Sequence, residues 1–209
     1  MPKLGMGPIR REQICRAAAA VIAREGFAGS TMRMVADEAG VSTGMINHYF
    51  ANRQDLLTQA LLFVSERTQD RYRKALEGIP AGIERLNALL DSALSDDPQM
   101  RETWYVWINA YGEAVRLAEL RHTMEQRLQS WYEIIDMALE GLPQPIAAGE
   151  LPWSWRLDAM LNGLTIQALT SEAALDSRQI RDEIVGTLFG DQVSSAAGST
   201  GAKRVPVRG

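Results

Sequence analysis

Three observations predict an all-α fold for this chain of 209 residues. Apolar residues recur at three- and four-residue intervals nearly throughout, the spacing of helices that bury one face. No alternating apolar and polar run flanked by hairpin turns occurs, so no strand is expected. Apolar residues make up 46% and charged residues 23%, enough for a core and too apolar for a chain disordered throughout. The pattern resolves into roughly nine helices.

The first helix opens near Pro8, a residue favoured in a first turn, and turns Ile14, Cys15, Ala18, Val21 and Ile22 inward before Gly26 stops it. A short second helix starts after Ser30 or Thr31, either able to cap it, with Met32, Val35, Ala36 and Ala39 on one face and Gly40 at its end. Ser42 caps a third, of about two turns. In it Ile46 and Phe50 point one way, Gly44, Met45 and His48 the other, and Thr43 and Asn47 lie on the flank. Asn52 with Asp55 three residues on launches a long fourth helix through Leu57, Ala60, Leu61 and Val64 to about Leu76.

After the break GIPAG at 78–82, helices follow at about 82–95, 99–118 and 120–140. The Pro- and Gly-rich stretch 142–152 separates these from helices near 153–174 and 177–189. The expected organisation is a three-helix head over 1–52, a helical body over 53–190 and a disordered tail over 191–209, where small polar and basic residues lack helical spacing.

Several classes of function are excluded. No stretch reaches the ~18–20 apolar residues a membrane helix needs, and MPKLGMGPIRR lacks the apolar run of a secretion signal, so a soluble cytoplasmic protein is expected. Cys15 is alone, which rules out an internal disulfide and makes it small core filler. His48 and His122, far apart in sequence, make no metal site. No Ser/His/Asp or Cys/His constellation and no phosphate-binding glycine loop is present, so a catalytic role, with or without a cofactor, is the weaker alternative to a binding function. Net charge is −4, divided unevenly: residues 1–55 hold 7 Lys/Arg against 5 acids, the remainder 15 against 21. A mildly basic head on an acidic body suits a modular DNA binder.

Two short helices joined by the tight turn AGVS at 39–42 form a helix-turn-helix pattern. Val35, Ala36, Val41, Ile46 and Phe50 lock the pair from behind, which frees the start of the third helix to enter a major groove about 12 Å wide. Gly44 permits close backbone approach there.

The segment FAGSTMRMVADEAGVSTGMINHYFANRQDLL (27–57), with its order G-V-S-x-G, Y-F, a basic residue and L-L, resembles the DNA-binding domain of the TetR family of bacterial regulators. MPKLGM-x-x-IRR, STG-x-I-x-HYF and NGL-x-x-x-ALTSEAALD resemble the choline-responsive BetI branch of that family. The resemblance implies an all-helical dimeric repressor that leaves a palindromic DNA operator when a small-molecule effector binds its body. Matched residue by residue, Thr43, Gly44 and Met45 stand where base edges are met, beside the cap Ser42, and Arg33 holds a groove-facing position on the second helix. Thr31, Tyr49 and Arg53 match phosphate-binding positions. Asn47 replaces a tyrosine common in the family, leaving adenine or phosphate as its partner, and His48 faces DNA or solvent.

In the body, Trp104, Trp107 and Tyr111 fall at i, i+3, i+7 on one helix and Trp131 on the next. Such a stripe is either core packing or the wall of an aromatic cage for an amine or quaternary ammonium. Glu102 and Glu113 project away from the Trp104 face, so a balancing carboxylate must come from another element. Asn162 and Gln167 carry amides that need a ligand or a neighbouring helix if buried. The last two helices are apolar on more than one side, with the stripe Ile180, Ile184, Val185 and Leu188 on the final one, more than one bundle can bury, so pairing through them with a second chain is expected.

Overall fold

A computed structural model describes residues 6–143, 150–171 and 175–190. The expected tail at 191–209, most of the stretch 142–152 and the end of the predicted helix 153–174 lie outside them. The described residues form helices and connecting turns.

Helix α1 (Met6–Gly29) is interrupted at Gly26, which takes φ 72° and ψ 171°, a backbone region nearly closed to side-chain-bearing residues. A Cβ there would also come within 2.9 Å of Asn109 Oδ1. The chain can therefore leave the helix at this point, and Ser30, fully buried, donates from Oγ back to the Gly26 carbonyl at 2.6 Å. Helix α2 (Met32–Ala39) is capped by Thr31, whose hydroxyl accepts from the Met34 amide, and ends on Gly40 in the left-handed region. Helix α3 (Thr43–Tyr49) is capped by Ser42, which accepts from the Met45 amide. Helix α4 (Arg53–Leu76) starts with the Asn52 side chain accepting from the Asp55 amide while Asp55 accepts from the Ala51 amide. Each of these caps was legible because capping acts over three residues.

The body comprises α5 (Ile83–Ala93), α6 (Pro98–Ala114), α7 (Ala118–Leu139), α8 (Trp153–Thr170) and α9 (Ser177–Phe189). Asp176 and Gln179 close a reciprocal capping box on α9. Buried apolar side chains form two clusters. One joins α1, α2 and α3 to the first half of α4 and to α6 and the start of α7; the other joins the end of α4 to α5, α7, α8 and α9. Between them the buried face of α4 turns polar, at Ser65, Thr68 and Gln69.

The structure corrects one premise. Ile180, Ile184 and Leu188 of α9 are buried against their own chain, with Val185 packed beside them. The second core cluster covers the stripe that was expected to require a partner, because α5 and α8 both pack on α9.

Candidate DNA-reading face and effector cavity

Ile46 and Phe50 anchor the rear of α3: the first is 0% exposed, the second buried against α1 and α4. That anchoring leaves Ser42, Thr43, Gly44, Met45, Asn47 and His48 exposed and Tyr49 half-buried, its ring edge-on to His48 at 5.0 Å. Side chains from α1 hold the reading unit in place. Gln13 donates to the Ala39 carbonyl at 2.8 Å, and Arg11 donates to Gln59 at 3.0 Å while its guanidinium lies over the Phe50 ring. Arg33 on α2 stands 88% exposed, with Asp37 at 4.0 Å as its only ion-pair partner among the described residues, which leaves its fork of donors available. The Thr31 and Ser42 hydroxyls act as acceptors in their caps, so each retains a hydrogen to donate outward.

Arg53 departs from expectation. Its guanidinium donates to the Ser30 carbonyl at 2.6 Å, to Ala28 at 3.1 Å and to Phe27. These three carbonyls follow the break at Gly26 and have lost their helical partners. Arg53 thereby ties the start of α4 to the end of α1 rather than projecting outward at a phosphate.

The second site is a cavity where the two core clusters part. Trp104, Trp107 and Tyr111 of α6, Trp131 of α7 and Asn162 of α8 all line it, so the aromatic stripe borders open space as well as core. The space open to the centre of a water molecule is about 60 Å³, several times the ~10–15 Å³ that one water requires. Helix α4 closes one side with Ser65, Thr68, Gln69 and Tyr72. The Trp104 indole donates to the Ala93 carbonyl at 2.9 Å, and the Tyr72 and Trp131 rings meet at 5.0 Å. Gln167 is exposed and takes no part.

The carboxylate that α6 does not supply comes from α8. Asp158, 9% exposed, lines the cavity and accepts at Oδ1 from the Trp131 indole at 2.7 Å and from Asn162 Nδ2 at 2.9 Å. Burial pushes its pKa above the usual carboxylate range, against the two hydrogen bonds that favour the ionised form. Arg127 of α7 also lines the cavity. Its single ion pair is a 3.9 Å approach to the exposed Glu66, and its Nε is buried without a hydrogen-bond acceptor. Asp158, Arg127, Tyr72 and Gln69 were not found from sequence. The available signal was polar residues at core-facing positions of α4 and α8, which periodicity treats as noise. No group of metal-ligating side chains occurs among the described residues, and no helix among them is long and apolar enough to cross a membrane.

A helical head with an exposed reading helix, joined through one long helix to a body with a lined cavity, is the architecture of a one-component regulator, and the comparisons agree. The model of the TetR family of bacterial regulatory proteins matches residues 14–60, and that of the C-terminal domain of BetI-type transcriptional repressors matches residues 82–189. The chain belongs to the TetR family, with a BetI-type C-terminal domain. The HTH-type transcriptional regulator BetI of Vibrio vulnificus is 33% identical over 135 residues, covering 62% of this chain and 68% of that protein. BetI of an Escherichia coli strain is 29% identical over 181 residues, covering 84% and 90%. Among solved structures, a TetR-family regulator from Rhodococcus sp. superposes with a TM-score of 0.71 at 26% identity, over 85% of this chain and 95% of that one. A Saccharomonospora viridis regulator, solved in complex with choline, has the same TM-score at 24% identity, over 85% and 94%. These relatives are transcriptional regulators, not enzymes.

Proposed function

We propose that this chain is a repressor that binds a palindromic operator as a homodimer and is released by a small amine or quaternary ammonium compound. The observation that carries this reading is that one helix serves both sites. The start of α4 is tied to the head through Arg53, and residues 65–72 of the same helix wall the cavity, about 18 Å further along at 1.5 Å per residue.

The head, residues 1–52, reads DNA. Arg33 gives two hydrogen bonds to a guanine edge, Met45 packs on a thymine methyl, and Thr43 and Gly44 let the helix approach the bases. Thr31 and Tyr49 hold phosphates, with Asn47 and His48 at the rim. The body, residues 53–190, binds the effector. Its cationic head sits among Trp104, Trp107, Tyr111 and Trp131, with Asp158 as counter-charge, each cation–π contact contributing roughly 0.5–2 kcal/mol. Dimerisation uses the outer faces of α8 and α9, where Trp155 is exposed and Gly163 and Gly186 leave room for close approach. The two-fold then sets the reading helices one DNA turn, about 34–36 Å, apart. Its place of action is the cytoplasm, with the DNA.

An effector that fits the cavity best when α4 and α6 have shifted binds the DNA-free form more tightly. By linkage, a difference of about 1–3 kcal/mol weakens operator affinity 5- to 150-fold. The test is a gel-shift titration of the full-length protein on the DNA upstream of its own gene, with and without trimethylammonium compounds. A retained band that dissolves on adding the onium supports the reading. Absence of any band above nonspecific competitor at low salt refutes the DNA half, and a band indifferent to every onium refutes the effector half.

A further inference from the structure

The cavity wall carries a cation that the proposed onium site does not use. Arg127 has about a quarter of its side chain exposed, 28%, yet makes no hydrogen bond through its guanidinium to any described residue. Its nearest carboxylate, Glu66, is 66% exposed and stands at 3.9 Å, beyond hydrogen-bond reach. A guanidinium whose Nε is sequestered from water without an acceptor is a costly arrangement unless something supplies one. Every other cation that meets the cavity's surroundings is differently placed: Arg71 pairs with Asp97 at 2.5 Å and Arg73 reaches Gln69 and Asp70.

The position of Arg127 is informative. Trp131 lies four residues on along α7, on the same face, and its indole already holds Asp158. The backbone positions that carry Arg127 and Trp131 are therefore one helical turn, about 6 Å, apart along α7, and both side chains line the same cavity as Asp158. Charge bookkeeping agrees. The lining holds one acid, Asp158, and one base, Arg127. A simple cation entering this space would leave a net positive charge out of water, whereas a ligand carrying both signs leaves none.

We infer that the effector is a zwitterion, an ammonium group seated at Asp158 and the aromatic rings and a carboxylate received by Arg127 about one helical turn away. This rests on the onium reading given above and narrows it. The carboxylate takes two parallel hydrogen bonds from the guanidinium fork, which a hydroxyl oxygen cannot do. The lengths of the two side chains and of the ligand must match, so spacing between the charges becomes a selective feature.

The experiment is isothermal titration of the full-length protein with trimethylammonium carboxylates bearing one, two or three methylenes between the charges. Each is compared with the alkyltrimethylammonium of equal length that lacks the carboxylate, and with choline as the hydroxyl counterpart. At least one zwitterion is expected to bind tenfold or more tightly than both of its counterparts. In Arg127→Met that ratio should fall to near one, and in Arg127→Lys it should recover in part, since the charge returns without the fork. If the wild-type protein binds alkylammonium or choline as tightly as every zwitterion, the inference is overturned while the onium reading stands. If none of the compounds binds, with or without a carboxylate, both fall. The wild-type ranking decides the matter even should the Arg127 variants fail to fold.

Discussion

Asp158 places a carboxyl where burial disfavours its charge, and two measurements follow from that. Its folded pKa is raised by desolvation, so folding favours the protonated form. The stability this group contributes is fully present at acid pH and is lost as pH rises from the ordinary carboxylate range through the folded value. Asp158→Asn keeps an acceptor for Trp131 and Asn162 but removes the charge. Melting at neutral pH without ligand is expected to be no lower than wild type, while calorimetric onium binding is lost. In the wild type, onium affinity should climb with pH through the same window, by up to about tenfold per unit, because the ionised carboxylate is the binding form; Asp158→Asn should show no such climb. At the head, Arg33→Ala should weaken operator binding by about 1–3 kcal/mol and relax preference at one base pair, read by competition gel shift. The exposed residues of α3 were legible in sequence because an exposed position on a short amphipathic helix follows from its neighbours three and four away. Asp158 was not, since its partner Trp131 is 27 residues distant and nothing local marks that meeting.

At the scale of the element, the joint between α1 and α4 holds the start of α4 against the end of α1. Gly26 adopts a conformation only glycine takes without strain and faces Asn109 of α6. Gly26→Ala is expected to lower stability by about 1–3 kcal/mol in urea unfolding. Arg53→Leu would strip the Phe27, Ala28 and Ser30 carbonyls of their donor. A loss of about 1.5–3 kcal/mol in the same measurement is expected, with the salt dependence of operator binding unchanged in slope. A phosphate-binding arginine would instead reduce that slope by about one. Sequence placed Arg53 correctly at the start of a helix and missed its partners, because the carbonyls left unpaired past Gly26 exist only once that kink has formed. The α9 stripe failed for the converse reason: periodicity reports that a face is apolar, not which neighbour covers it.

For the whole molecule, the cavity arises where two core clusters meet along α4 and fail to merge. Ser65, Thr68 and Gln69 occupy the buried face there, so a helix that packs against the head is also one the effector would touch. Dimerisation can be probed without disturbing either core. A Cβ at Gly163, an exposed position, meets nothing within 4 Å in the single chain, so Gly163→Arg can direct its side chain into solvent and should fold normally. Sedimentation should nevertheless show it as a monomer, and operator affinity should fall steeply as one head is left to bind alone. By itself the sequence determined the helices, their principal caps and breaks and the exposed face of α3, all consequences of interactions a few residues long, and it left the aromatic stripe open between core and cavity wall. Only the tertiary structure decided where the counter-charge lies, that Arg53 is a brace, that Arg127 lacks an acceptor and that α9 is covered from within. Each of those depends on which distant helices come into contact, and burial, which sets the cost of an unpaired charge, is a property of the packed chain and of no segment within it.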